Sequence, residues 1–190
     1  DRYVIPSIKD NSRPADHLDL TQEERSMTTH FTFHHALIKL NKMVLKMSAM
    51  AEDRVRKAAT IIKTRDLELI QSLTNSDYEI DEMEMEVEEE CLKILALHQP
   101  VAVDLRFLIA TIKINSELER IGDEAVNIAN RVRNISKRRK LDLSFDFTIM
   151  AEKAATMLRL SLDALVNLDQ DLAFKVLTLD DEVDLMHREI

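Results

Sequence analysis

Apolar side chains return every third or fourth residue from Leu37 to Val132, in blocks of about 30 residues, and two short stretches interrupt them. One interruption is Lys63-Thr64-Arg65-Asp66. The other is His98-Gln99-Pro100, where the proline removes a backbone donor and disfavours helix in the residue before it. That period belongs to the α-helix, and a chain with one glycine and three prolines lacks the turn residues of a many-stranded β architecture. The sequence therefore predicts an all-α protein, with helices over about 28–62, 67–97, 101–137 and 144–168 and a fifth from near Asp171. Residues 1–27 read as a polar arm carrying Pro6, Pro14 and a Thr21/Glu24 capping box. Residues 28–140 read as a first three-helix antiparallel repeat, and 141–190 as the start of a second.

Each helix has a seam. Leu37, Leu40, Val44, Met47, Ala51 and Val55 form that of the first helix. Leu69, Leu73, Ile80, Met83, Val87 and Ile94 form that of the second. Ile114, Leu118, Ile121, Ala125, Ile128 and Val132 line the third; Met150, Ala154, Met157, Ser161, Leu165 and Leu168 line the fourth. Second apolar stripes contain an anomaly. On the third helix, Glu119 and Asp123 interrupt Leu105, Leu108, Ile112 and Val126. On the second, Asp77, Asp81, Glu84 and Glu88 sit between Ile70 and the pair Leu92 and Leu95. Glu79, Glu82, Glu86 and Glu90 read as solvated. A carboxylate on an apolar stripe costs several kcal/mol to bury unless it is paired or binds a metal.

Register joins these acids. Helices linked by a tight turn at Gln99-Pro100 run antiparallel. Asp77 and Asp81 lie 22 and 18 residues before Gln99, and Glu119 and Asp123 lie 20 and 24 after it. All four fall roughly 30 Å from the turn at 1.5 Å per residue. Four facing carboxylates repel unless a cation lies between them, and oxygen-only donors suit Mg, Ca, Mn or iron better than copper or a structural zinc. Asn127 follows one turn beyond Asp123. The Asp77/Asp81 pattern recurs as Asp180/Asp184 in the second repeat, so the expected metal ligands are Asp77, Asp81, Glu119, Asp123, Asn127, Asp180 and Asp184. Gly122 lies inside this stretch; a mid-helix glycine costs about 1 kcal/mol against alanine, so close helix approach or ligand access is expected there.

A net charge of −9 argues against nucleic-acid binding, and the run Lys137–Lys140 reads as a helix C-terminus at the junction of the repeats. The lone Cys91 excludes an intrachain disulfide, and its place near a seam marks it as inert. No 18-residue apolar run or signal segment is present. A start at Asp1 suggests a fragment or processed chain. His30, His34 and His35 are weak candidates for a metal. There is no Glu-x-x-His pair of the ferritin-like kind; the nearest pattern is Asp184-x-x-His187.

Gln99-Pro100-Val101-Ala102-Val103-Asp104-Leu105-Arg106, followed by Leu118-Glu119-Arg120-Ile121-Gly122-Asp123-Glu124-Ala125-Val126-Asn127-Ile128-Ala129, resembles the PhoU family of phosphate-transport accessory regulators. The resemblance runs over about residues 28–190. It implies two pseudo-symmetric three-helix bundles and a Glu/Asp-x-x-x-Asp metal motif at Glu119 and Asp123. It implies a metal cluster, iron foremost, with Zn, Ni, Mn, Mg or Ca as alternatives. It further implies a non-enzymatic negative regulator of phosphate uptake and starvation signalling. Such a regulator is cytoplasmic and reaches the membrane through its partners, the ATPase of a phosphate ABC importer and a sensor histidine kinase. Members usually complete the second bundle with a sixth helix bearing another motif. A chain ending at Ile190 is thus expected to have an incomplete second site and an uncovered apolar face that favours self-association into a homo-oligomer such as a dimer. The alternatives are a regulatory domain of a sodium–phosphate cotransporter and, in another class, a carboxylate-bridged metalloenzyme.

Overall fold

The structure is a computed structural model that describes residues 22–136 and 147–189, with only the backbone for 22–30. Every regular element among these residues is helical. They are α1 (Gln22–Thr64), α2 (Leu67–Asn75), α3 (Tyr78–His98), α4 (Ala102–Ser136), α5 (Phe147–Asn167) and α6 (Gln170–Arg188). The Thr21/Glu24 box, His30 and the run Lys137–Lys140 lie outside the described residues or side chains. Helices α1, α3 and α4 form an antiparallel bundle, with α2 wedged against α4 and α1. Helix α5 packs along α1, and α6 packs along α5.

The seams explain the bundle. On α1 the fully buried residues are Leu40, Val44, Met47, Ala51, Arg54, Ala58 and Ile61, alternating in steps of four and three. The expected last position, Val55, lies on the flank, and Arg54 takes its place in the seam. Leu73, Ile80, Met83, Val87 and Ile94 are buried as expected, as are Leu118 and Ala125. Two apolar clusters result. The larger joins α1, α3, α4 and Leu162 of α5, and the smaller joins Ala58 and Ile61 to Ile70, Leu73 and the Ala125–Ala129 end of α4.

Several expectations need correction. The second helix is not continuous over 67–97: it breaks at Ser76-Asp77 into α2 and α3. Short polar side chains there compete for backbone groups. Thr74 Oγ1 donates to the Ile70 carbonyl and Ser76 Oγ to that of Leu73 at 3.1 Å, while Arg54 donates to the Ser76 and Asp77 carbonyls. Glu90 is buried, not solvated, and accepts from Lys39 Nζ at 2.5 Å across the α1–α3 groove. Leu92 faces solvent. On α5 the deeply buried residues are Ala155, Leu162 and Ala164, about one residue round from the expected line, because α5 turns that face to α1. Helix α6 starts at Gln170, and Asp169 caps it by accepting from the Leu172 N–H at 2.9 Å.

With no second glycine available, ordinary residues end the helices. Arg65, Gln99 and Leu168 take positive φ, and so does Ala102 at the start of α4. Each such residue costs about 1–2 kcal/mol, which the packed seams must outweigh. Asp66 then caps α2 as expected, accepting from the N–H groups of Glu68 and Leu69 at 2.9 and 3.2 Å. Cys91 is buried, and burial pushes its thiol up to about 11, aided by Glu90 and Glu88, so it is inert.

Candidate metal centre

The α3–α4 turn brings the predicted register about. Asp81 of α3 and Glu119 and Asp123 of α4 each offer a carboxylate oxygen, all within 4.8 Å of one another. Glu119 and Asp123 are one helical turn apart and point off the same face. Among the described residues this is the one group of three or more acid, histidine or cysteine side chains so placed. Hard cations bind oxygens at about 2.0–2.6 Å, so donors on one ion lie at most about 4–5 Å apart. The three carboxylates fit that limit, and their all-oxygen chemistry fits Mg, Ca, Mn or iron.

Electrostatics mark the same place. Partial burial pushes Glu119 above the usual carboxylate range, and Asp123, Asp81 and Glu84 add to it; Glu119 and Asp123 share a hydrogen bond. Burial raises Glu84 as well, followed by repulsion from Glu88 and Asp81. Asp77 is raised by burial and by Asp123, with Arg54 opposing. A carboxyl group raised in the folded state binds more protons folded than unfolded, so stability falls as pH rises through that window. The metal-free protein is therefore expected to gain stability on acidification from neutral pH toward the ordinary aspartate and glutamate values of 3.8 and 4.5. An added divalent ion, which displaces the protons, is expected to remove that gain; urea melts across this range with and without Mn²⁺ check it.

The remaining expected ligands do not join this group. Asp77 borders it, near enough for Asp123 and Asp81 to raise its carboxyl, but its Oδ1 accepts from Arg54 Nη1 at 3.1 Å. Asn127 is exposed, one turn beyond Asp123. Asp180 and Asp184 are exposed on α6, where Asp184 lies 4.0 Å from Arg188, and neither joins a group of donors among the described residues. His34 and His35 are exposed, with His35 against the Phe31 ring.

Two supporting residues went unread in the sequence. Arg54 is only 3% exposed and ties α1 to the α2–α3 break. Its signal was a cation in a four-three seam. Asn115, also fully buried, donates through Nδ2 to the Glu84 carbonyl at 2.8 Å and so pins α4 to α3 one turn before Glu119. Its signal was the polar line Thr111, Asn115, Glu119, Asp123 at steps of four. Gly122 allows the helices to close. A Cβ there would meet the Ile80 Cδ1 at 2.8 Å and the Arg54 Cδ at 3.4 Å.

Comparison with known proteins agrees with this architecture. The model of the PhoU domain family matches residues 44–132 and 147–190. A phosphate-specific transport system accessory protein PhoU homolog of Clostridium acetobutylicum is 32% identical over 163 residues, 85% of this chain and 74% of that protein. The Aquifex aeolicus homolog of the same name is 32% identical over 81% of this chain and 70% of its own length. The crystal structure of PhoU from Pseudomonas aeruginosa superposes with a TM-score of 0.76 at 32% identity, covering 83% of this chain and 76% of that one. The phosphate transport system regulatory protein PhoU of Streptococcus pneumoniae gives 0.74 at 25% identity, over 83% and 74% of the two chains. The fold, the register of α3 on α4 and these likenesses together establish that this chain belongs to the PhoU family.

Proposed function

We propose that this protein is an accessory regulator of a phosphate transport system, without catalytic activity of its own. In this reading it holds the phosphate-starvation response off while phosphate is plentiful. It does so as a cytoplasmic helical adaptor between the ATPase of a phosphate ABC importer and a sensor histidine kinase. Asp81, Glu119 and Asp123 hold the metal, iron foremost. When bound, the cation cancels carboxylate repulsion and cross-links α3 to α4. Copies of the chain meet through the exposed α6 face of Phe174, Leu177 and Leu185.

One observation carries the regulatory part: the likeness to phosphate-specific transport accessory proteins extends over four-fifths or more of this chain and includes the α3–α4 segment that bears the carboxylates. No described helix is long and apolar enough to cross a membrane, so contact with a transporter would be made through surfaces of the bundle. The test is genetic. Deleting the gene is expected to switch on a phosphate-starvation promoter reporter in phosphate-rich medium, and restoring the gene is expected to silence it. A reporter that stays silent in the deletion strain contradicts the reading.

A further inference from the structure

We propose that Arg54 sets the ligand number of the carboxylate centre: it holds Asp77 as its own counter-ion, so an incoming cation meets three carboxylates, Asp81, Glu119 and Asp123, and not four. This rests on the metal-binding reading above. By sequence spacing alone Asp77 equals the other three, since it lies one turn before Asp81 and level with Asp123 across the bundle. What separates it is a residue from a third helix. The Arg54 guanidinium reaches Asp77 Oδ1 through Nη1 and the Ser76 and Asp77 carbonyls through Nη2.

Three features make this pairing durable. Arg54 is buried in the α1 seam between the two apolar clusters, so its charge cannot turn out to water. Asp77 is the one carboxylate in ion-pairing range of it among the described residues, and a buried guanidinium stripped of its partner is strongly disfavoured. Asp77 also occupies the N-cap position of α3, where an aspartate ordinarily accepts from the helix N–H groups, yet it makes no such bond. Gly122 lies beside the pair: a Cβ there would come into ordinary contact with the Arg54 stem at 3.4 Å and would crowd Ile80. The consequence is a centre of charge −3 with positions left on the ion for water or another ligand.

The test measures Mn²⁺ affinity by calorimetric titration of the whole chain, with circular dichroism to verify folding. Asp77→Asn keeps an acceptor for Arg54 and is expected to leave the affinity within about threefold, whereas Glu119→Gln is expected to weaken it by about tenfold or more. Arg54→Met frees Asp77 and is expected to tighten binding by about tenfold, a gain lost again in the Arg54→Met/Asp77→Asn double variant. If Asp77→Asn weakens Mn²⁺ as much as Glu119→Gln does, Asp77 is a ligand and the proposal alone falls. If the wild-type chain takes no Mn²⁺, the metal-binding reading falls and the proposal with it. Should Arg54→Met not fold, the comparison of Asp77→Asn with Glu119→Gln still decides.

Discussion

Truncating Ile80 to alanine is expected to destabilise the protein by about 3 kcal/mol, within the range for fully buried Ile→Ala changes. Ile80 is completely buried in the larger cluster, and its terminal methyl fills the space that Gly122 leaves on α4. The loss combines apolar surface with a cavity between rigid helices that cannot collapse fully. Gly122 then gives a second arm. In the wild type, Gly122→Ala would gain about 1 kcal/mol of helix propensity but forces its Cβ against Ile80 Cδ1 at 2.8 Å, so no net stabilisation is expected. In the Ile80→Ala background that methyl is gone, and Gly122→Ala is expected to recover about 1 kcal/mol. Urea melts of the four proteins measure the coupling. Strict additivity would mean that Gly122 and Ile80 do not share the space the structure gives them.

The helices and their antiparallel order were legible because seam residues at steps of three and four have no other way to be buried. Ile80, Met83, Val87 and Ile94 are buried on α3 and Leu118 and Ala125 on α4, as their spacing requires. The meeting of Asp81 with Glu119 and Asp123 was legible for a related reason, since distance from one turn fixes height on both helices. The break at Ser76-Asp77 was hidden. No glycine or proline marks it, and its carbonyls are satisfied by Arg54, which lies 22 residues away in sequence. The same distance hid the diversion of Asp77. Glu90 read as solvated because its partner, Lys39, is on another helix 51 residues earlier. Partners brought by tertiary packing leave no periodic trace. Positive-φ residues such as Gln99 and Ala102 were hidden too, because identity at those positions gives no warning of the conformation.

The central claim is that Asp81, Glu119 and Asp123 form a cation site. Their oxygens already lie within the span of one coordination sphere, and burial with mutual repulsion raises Glu119, a strain that a cation would relieve. An ion that binds only the folded state stabilises it by about 2.7 kcal/mol at 100 times its dissociation constant. For a chain of this size that is a rise in Tm of about 5–10 °C. Replacing both Glu119 and Asp123 by alanine removes two of the three donors and also removes their repulsion. The metal-free Tm of that variant is therefore expected to change little. The decisive measurement is metal content by elemental analysis of the purified wild type and Glu119→Ala/Asp123→Ala proteins, each melted with and without added Fe²⁺ or Mn²⁺. The account predicts bound metal and a raised Tm in the wild type and neither in the double variant. A wild type that holds no metal and melts unchanged, or a double variant that retains the metal, would contradict it.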